Sequence, residues 1–288
     1  MPLQSEISQW LPIQFIAVEE LSPASQELGD ILQMLGSVDR SFSQSRDEDR
    51  AFRIGWNPQR KTMTGFAGIG DGDPVEISVE PSSHTLHISS GFKRWSLFLK
   101  GRTWPEVLVW TRSRLARAGL NPNQFKHESS PQESSRTSTT SQGFQYDHPY
   151  AFQSLGEIIS NAHFILSHEQ SHWPQATPLY FRPENMEFGF DIPIDPSGEQ
   201  WIGAGLCLGQ PDMAGPFYFV QPCGDTKWPN PQLPNLTMGS WYRMDWLGAV
   251  LPYEKWASPS RGYEQQGLVS NFLQESIMAC RNWMAGTM

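Results

Sequence analysis

The stretch at residues 199–225, EQWIGAGLCLGQPDMAGPFYFVQPCGD, constrains the fold of this chain more than any other segment. Two apolar runs rich in β-forming residues, 201–208 and 216–220, flank a loop of Gly, Pro and Asp. Short apolar runs bounded by Gly and Pro are typical of strands in a largely covered sheet. The loop residues 209–215 cannot continue either strand, so the sequence predicts a β-hairpin here.

Five more strand-like runs lie in the first half of the chain. They are AFRIGW, MTGFAGI, PVEISVE, HTLHIS and RWSLFL, and they are separated by Asn-Pro, Asp-Gly-Asp, Pro-Ser-Ser and Ser-Gly. Short β-rich runs with turn residues between them predict a meander of antiparallel strands.

The first helix is predicted from its start and stop signals. Ser22 is the expected N-cap and Pro23 the first helical residue, and apolar residues follow at helical spacing. Gly36 is the expected C-cap, and the polar run at 41–50 is expected to be a solvated loop.

Three further helices are predicted after the meander. Thr103 and Glu106 have the T-x-x-E spacing of a capping box, and so do Ser154 and Glu157. The last helix is expected at 262–283, where apolar residues recur on one face. In the second half the expected strands are TPLYF, MEFGFDIPI, QWIGAGLCL, PFYFV and LGAVLPY.

A polar segment divides the chain. Residues 127–143, HESSPQESSRTSTTSQG, contain no aliphatic or aromatic side chain, so they are expected to form a mobile linker. The predicted organisation is an N-terminal α+β half at 1–126 and a C-terminal α+β half at 144–288. Because helix, strands and helix follow one another in both, we predict an α+β fold of two pseudo-repeated halves, each an antiparallel sheet with flanking helices.

The charge distribution restricts the class of partner. Residues 1–126 contain 14 basic and 14 acidic residues, whereas residues 127–288 contain 7 and 16, so the whole net charge of −9 lies in the second part. Neither part has the basic surface that phosphate binding needs, so nucleic acid and anionic membranes are not expected partners. The sequence does not determine the oligomeric state.

The cysteines and the N-terminus predict a cytoplasmic protein. Cys207, Cys223 and Cys280 are widely spaced without a CxxC motif, and buried thiols are expected rather than a disulfide. The first residues, MPLQSEISQWLPIQF, lack a basic region followed by a long apolar core, and no run approaches about 20 apolar residues.

Several segments of the second half resemble a bacterial family catalogued as domain of unknown function 5996. They are Ala-Gly-Leu at 204–206, the turn at 209–215, Phe-Tyr-Phe at 217–219 with Pro222, and Leu-Pro-Tyr at 251–253. The order of elements in the first half is also similar, so the resemblance covers roughly residues 36–283. Where the family has His-Phe-Phe-Trp-Gly, this chain has Tyr180 in place of the His. The resemblance implies an architecture and no catalytic residue.

The sharpest chemical motif is HEQSH at 168–172, which satisfies H-E-x-x-H. On a helix, His168 and His172 project from one face and can bind zinc, while Glu169 can act on a metal-bound water. The third ligand would be Glu184 or Glu187. The alternative is a solvated helix end, because Trp173 and the proline after it stop the helix and because histidine is favourable near a helix C-terminus.

An aromatic pocket in the second half is the other candidate site. The expected catalytic residues are Tyr253, Glu254, Tyr218 and Asp245. The expected substrate-binding residues are Trp201, Tyr180, Arg182 and Trp246. Aromatic walls with a few polar groups are typical of small-molecule sites, but a core filled with Trp and Tyr is the alternative.

Three functions are consistent with these motifs. The first is a cofactor-independent biosynthetic enzyme that performs acid/base cyclisation or condensation on an apolar or aromatic substrate. The second is a zinc-dependent hydrolase, and the third is a non-catalytic ligand-binding or interaction protein. Nucleotide-dependent chemistry is not expected, because the chain lacks G-x-G-x-x-G after a strand, the P-loop motif and the G-x-S-x-G elbow.

Overall fold

The chain folds into helices and antiparallel sheets. The computed structural model describes residues 10–42, 54–127, 143–210, 212–224 and 233–285. In these ranges the helices are α1 Val18–Phe42, α2 Trp104–Arg117, α3 Pro149–Ser171, α4 Tyr253–Trp256 and α5 Gly262–Met284. The strands are β1 Gly55–Asn57, β2 Thr62–Gly70, β3 Asp73–Glu80, β4 Thr85–Ser90, β5 Lys93–Phe98, β6 Tyr180–Arg182, β7 Glu187–Pro193, β8 Gln200–Cys207, β9 Phe217–Gly224, β10 Ser240–Tyr242 and β11 Gly248–Pro252. The predicted α+β class is confirmed.

The chain divides into two compact units, each made from separate segments. The N-terminal unit contains Ile16–Gly156 and Tyr180–Met186. The C-terminal unit contains Met1–Phe15, Glu157–Leu179 and Glu187–Met288. Of the predicted linker, residues 128–142 lie outside the described ranges. The predicted internal duplication stays a prediction.

The sheet of the N-terminal unit is the predicted meander. Its strand order is β1-β2-β3-β4-β5, and each neighbouring pair is antiparallel. In β3 the residues Val75, Ile77 and Val79 are fully buried and alternate with half-buried residues. This period of two places one face of the sheet against α1.

Helix α1 begins earlier and ends later than predicted. Leu21 is fully buried and its N–H donates to the carbonyl of Ala17 at 3.1 Å, so burial extends the helix by a turn before Ser22. Pro23 therefore lies inside the helix. Gly36 is an interior residue and not the C-cap, and a Cβ there would lie only 3.1 Å from Cγ of Pro183.

The two predicted capping boxes have different outcomes. Thr103 precedes α2, and its N–H donates to the Glu106 carboxylate at 2.8 Å, so this box is confirmed. Ser154 is instead a buried residue inside α3, which begins at Pro149. The prediction of a helix start at Ser154 was wrong because Pro149 suits the first helical turn and the buried Phe152 continues the apolar face.

In the C-terminal unit the strands of the second sheet have the order β10-β11-β9-β8-β7. The predicted hairpin is confirmed, since β8 and β9 pair antiparallel from Gln200 opposite Gly224 to Cys207 opposite Phe217. Strand β10 was not predicted, because its three residues carry no period long enough to recognise.

Helix α5 and the segment at residues 10–15 complete the C-terminal unit. Helix α5 has the predicted range within one residue. The backbone N–H and C=O of Leu11 both bond to the Asn161 side chain, at 2.8 and 2.7 Å. Gln265 is fully buried and bonds in the same way to Ile13, at 2.9 Å in each direction. Two side-chain amides thus satisfy the backbone groups of this segment.

The cysteines are free thiols, as expected. Cys207 and Cys280 are buried and Cys223 is half-buried. Burial raises the pKa of Cys207 and of Cys280 to about 12, so neither thiol is ionised near neutral pH. Of the helices within the described ranges, none combines the length and the apolar composition that a membrane crossing requires.

Candidate functional site

The H-E-x-x-H motif lies in the last turn of α3 and just beyond it. His168 and His172 are both exposed, and their ring centroids are 4.8 Å apart with the planes nearly perpendicular. Glu169 between them is only 2% exposed. One possible ligand atom from each of the three residues lies within 4.8 Å of the others. The helical spacing therefore brings two imidazoles and a carboxylate together at the protein surface.

Helix α5 holds the Glu169 carboxylate. Gln274 donates its side-chain N–H to Oε1 of Glu169 at 2.9 Å, and the Ser270 hydroxyl donates to the same oxygen at 3.4 Å. The other oxygen, Oε2, lies 3.7 Å from Nδ1 of His172. Burial of a carboxylate is costly unless hydrogen bonds compensate it, and here Gln274 and Ser270 supply them.

These three side chains are of the types that could hold a metal ion. Two imidazoles and a carboxylate are the protein ligands of many zinc enzymes, in which a water molecule takes a further position. Around a tetrahedral zinc ion the ligand atoms are about 3.4 Å apart, so these donors need to close by roughly 1 to 1.5 Å. The exposed rings of His168 and His172 have the freedom to make that movement.

Neither residue predicted from the sequence as a third metal ligand joins this group in the described part of the chain. Among the described residues, the convergent group consists of His168, Glu169 and His172 and contains neither Glu184 nor Glu187. Glu184 forms an ion pair with Arg40 at 2.9 Å in the N-terminal unit. Glu187 lies on β7, opposite Cys207 of β8. The motif suggested that Glu169 acts as a base. The neighbouring residues in sequence do not indicate that its side chain is buried against α5, because its partners Ser270 and Gln274 lie about 100 residues away.

Two of the four predicted catalytic residues are core residues. Tyr218 and Tyr253 are fully buried. The ring of each lies 5.3 Å from that of Trp256, in an edge-to-face arrangement. Phe15 also stacks on Tyr253 at 5.3 Å. Such contacts are typical of an aromatic core, which was the alternative to a pocket.

Tyr218 is poorly suited to proton transfer. Burial raises its pKa far above the ordinary range of a phenol. Its hydroxyl makes no hydrogen bond to any residue in the described part of the chain, so no neighbouring base or acid addresses it. General acid–base catalysis requires a pKa near the working pH and a partner within hydrogen-bond reach.

The two carboxylates of the predicted catalytic set are on the surface. Glu254 is exposed on α4, and Asp245 is exposed in the turn between β10 and β11. Next to Asp245, the half-buried Trp246 contacts the ring of Tyr242 at 4.9 Å. Burial raises the pKa of Tyr242, and the nearby carboxylates of Asp212 and Asp245 add to this effect. The four predicted catalytic residues thus have two different environments.

The predicted substrate-binding residues belong to both units. Trp201 on β8 and Trp246 lie in the C-terminal unit and are half-buried. Tyr180 and Arg182 lie on β6 in the N-terminal unit, where the guanidinium is 4.8 Å from the Tyr180 ring and donates to its hydroxyl. The aromatic-pocket hypothesis stays a prediction without a supporting geometry.

A shallow cleft lies along the β1–β2 hairpin. Its volume is about 450 Å³ and it is widely open to solvent. It is lined by Gly55, Trp56, Asn57, Pro58, Gln59 and Thr64. None of these residues belongs to the sets predicted from the sequence.

The N-terminal unit contains a close contact between a buried histidine and a glutamate that the sequence did not reveal. His84 is fully buried, and its Nε2 lies 2.8 Å from Oε1 of Glu27 on α1. The His84 ring is nearly parallel to that of Tyr146, with centroids 5.1 Å apart, and the Phe152 ring is 4.6 Å away. The contact connects α1 to the turn before β4. Because aromatic rings enclose the imidazole, it is not open to a substrate.

No family model, curated protein or solved structure matches this chain. The resemblance to domain of unknown function 5996 therefore stays a prediction.

Proposed function

We propose that the C-terminal unit binds one divalent transition metal ion, of the zinc class, through His168, Glu169 and His172. The observation that carries the proposal is the convergence of two exposed imidazoles on a buried carboxylate that α5 already holds in place. A carboxylate fixed before the metal arrives loses little further side-chain entropy on binding, which favours a specific site.

The ligand types favour particular metals. Imidazole nitrogen is a good ligand for zinc, copper, nickel and iron, whereas calcium and magnesium prefer sites made of oxygen ligands. Two of the three donors here are imidazoles. We therefore expect zinc or nickel to bind and magnesium not to bind.

The reaction class that such a site supports is hydrolysis. Three protein ligands leave a zinc ion at least one position for water, and zinc lowers the pKa of that water enough to make hydroxide at neutral pH. His168 and His172 are exposed, so a substrate in solution can reach the metal. This is the zinc-dependent hydrolase hypothesis, with Glu169 as ligand.

Calorimetric titration with zinc tests the proposal. We expect one zinc ion per chain, and we expect His168→Ala and His172→Ala each to weaken binding by more than the roughly 10- to 100-fold typical of losing an outer-shell partner. The matched control is His148→Ala, which removes an exposed imidazole just before α3 and outside the convergent group. It should bind zinc with unchanged affinity.

Two results would contradict the proposal. One is the absence of zinc binding to the unsubstituted protein at micromolar concentrations. The other is binding that His148→Ala weakens as much as His172→Ala does. Hydrolysis is tested separately with an activated aryl ester, whose zinc-dependent cleavage should disappear in His168→Ala.

A further inference from the structure

Gln274 donates a hydrogen bond to only one of the two carboxylate oxygens of Glu169, Oε1. Its Nε2 lies 2.9 Å from Oε1 of Glu169, and Ser270 approaches the same oxygen at 3.4 Å. Nε2 of Gln274 also lies 3.4 Å from the hydroxyl oxygen of Ser270, which is one turn earlier on α5. The donors from α5 thus all act on Oε1.

The second oxygen of the carboxylate faces the imidazoles. Oε2 of Glu169 is 3.7 Å from Nδ1 of His172. A carboxylate can bind a metal through one oxygen or through both, and binding through both uses an additional coordination position. A hydrogen bond to one oxygen favours binding through the other, because the bonded oxygen has already spent a lone pair and is held in place.

We propose that Gln274 is a positioning residue that makes Glu169 a one-oxygen ligand through Oε2 and thereby keeps a coordination position open for water. This inference rests on the proposed metal site. Gln274 does not touch the metal in this arrangement and acts only through Glu169. The exposed position of Gln274 on α5 means that its removal leaves no cavity in the core.

Cobalt(II) in place of zinc gives the test a direct readout of coordination. The visible spectrum of cobalt(II) depends on the number and geometry of its ligands, so it reports whether Glu169 binds through one oxygen or two. In Gln274→Ala we expect an altered spectrum and a Kd for cobalt raised about tenfold, as for the loss of an outer-shell partner. The control is Gln266→Ala, a half-buried glutamine on the same helix, which should match the unsubstituted protein.

The outcomes separate this inference from the proposed function. If the unsubstituted protein binds no cobalt and no zinc, both are overturned. If it binds cobalt and the spectrum of Gln274→Ala is unchanged, only the role of Gln274 is overturned. Circular dichroism of each variant, expected to equal that of the unsubstituted protein, shows whether a spectral change comes from the site and not from loss of α5.

Discussion

Glu169 and Asp39 are both buried carboxylates, but their surroundings differ. Glu169 accepts hydrogen bonds from Gln274 and Ser270. Asp39 is 7% exposed near the end of α1, and its Oδ2 accepts no hydrogen bond from any residue that the structure describes. A buried charge without hydrogen bonds is costly, whereas one with them is tolerated. Asp39 is therefore a position where the fold loses stability when the side chain ionises.

The cost at Asp39 depends on pH. Burial raises its pKa from the ordinary 3.8 to about 6, although the charge of Arg40 opposes this. The folded protein therefore holds this proton more tightly than the unfolded chain does. The destabilisation is absent below pH 3.8, grows as the pH rises towards 6, and is complete above 6. We expect Asp39→Asn to raise the free energy of unfolding by about 2 to 3 kcal/mol more at pH 8 than at pH 4.

Urea unfolding at the two pH values measures this difference. Glu19→Gln, an exposed carboxylate on the same helix, is the control and should show less than about 0.5 kcal/mol at either pH. An equal effect of Asp39→Asn at pH 4 and pH 8 would mean that folding does not raise the pKa of Asp39.

The helix and strand predictions were correct where the residues that stabilise an element lie within that element. Thr103 and Glu106 make their capping contact within four residues, and the five strands of the meander each contain their own alternation. The predicted starts of α1 and α3 were wrong. The first turns of both helices are stabilised by burial of Leu21 and Phe152, which depends on tertiary packing. Sequence spacing alone does not report that packing.

Helix α1 carries a testable consequence of that early start. Pro23 is the sixth residue of the helix and is exposed. A proline at an interior position lacks the N–H that would bond four residues back, and its ring crowds that carbonyl. We expect Pro23→Ala to increase the free energy of unfolding by about 1 kcal/mol, after allowing for the greater freedom of alanine in the unfolded chain.

Thermal and urea unfolding measure the effect of Pro23→Ala. Glu20→Ala, an exposed residue of the same helix, serves as the comparison and should change stability by less than about 0.5 kcal/mol. A loss of stability in Pro23→Ala would contradict this expectation. It would mean that the proline stabilises the helix, as expected for a residue in the first turn of a helix that begins after Ser22.

At the scale of the whole molecule, the periodicity of apolar residues predicted the α+β class. It did not predict which segments of the chain make up each compact unit. Residues 180–186 belong to the N-terminal unit and Met1–Phe15 to the C-terminal unit, although both are distant in sequence from the rest of their unit. The proposed metal site likewise depends on residues that are far apart in sequence. His168 and His172 were visible as a motif, whereas the anchoring of Glu169 depends on Gln274, more than 100 residues later.

The proposed site should link metal to the stability of the C-terminal unit. A ligand that binds only the folded state stabilises it by about 2.7 kcal/mol at 100 times its Kd. We expect zinc at that concentration to raise the free energy of unfolding of the C-terminal unit by this amount at pH 7.5. The gain should fall steeply by pH 5, because histidine must be neutral to bind a metal. His168→Ala should show no gain at either pH, and an equal gain in that variant would place the zinc away from the α3 motif.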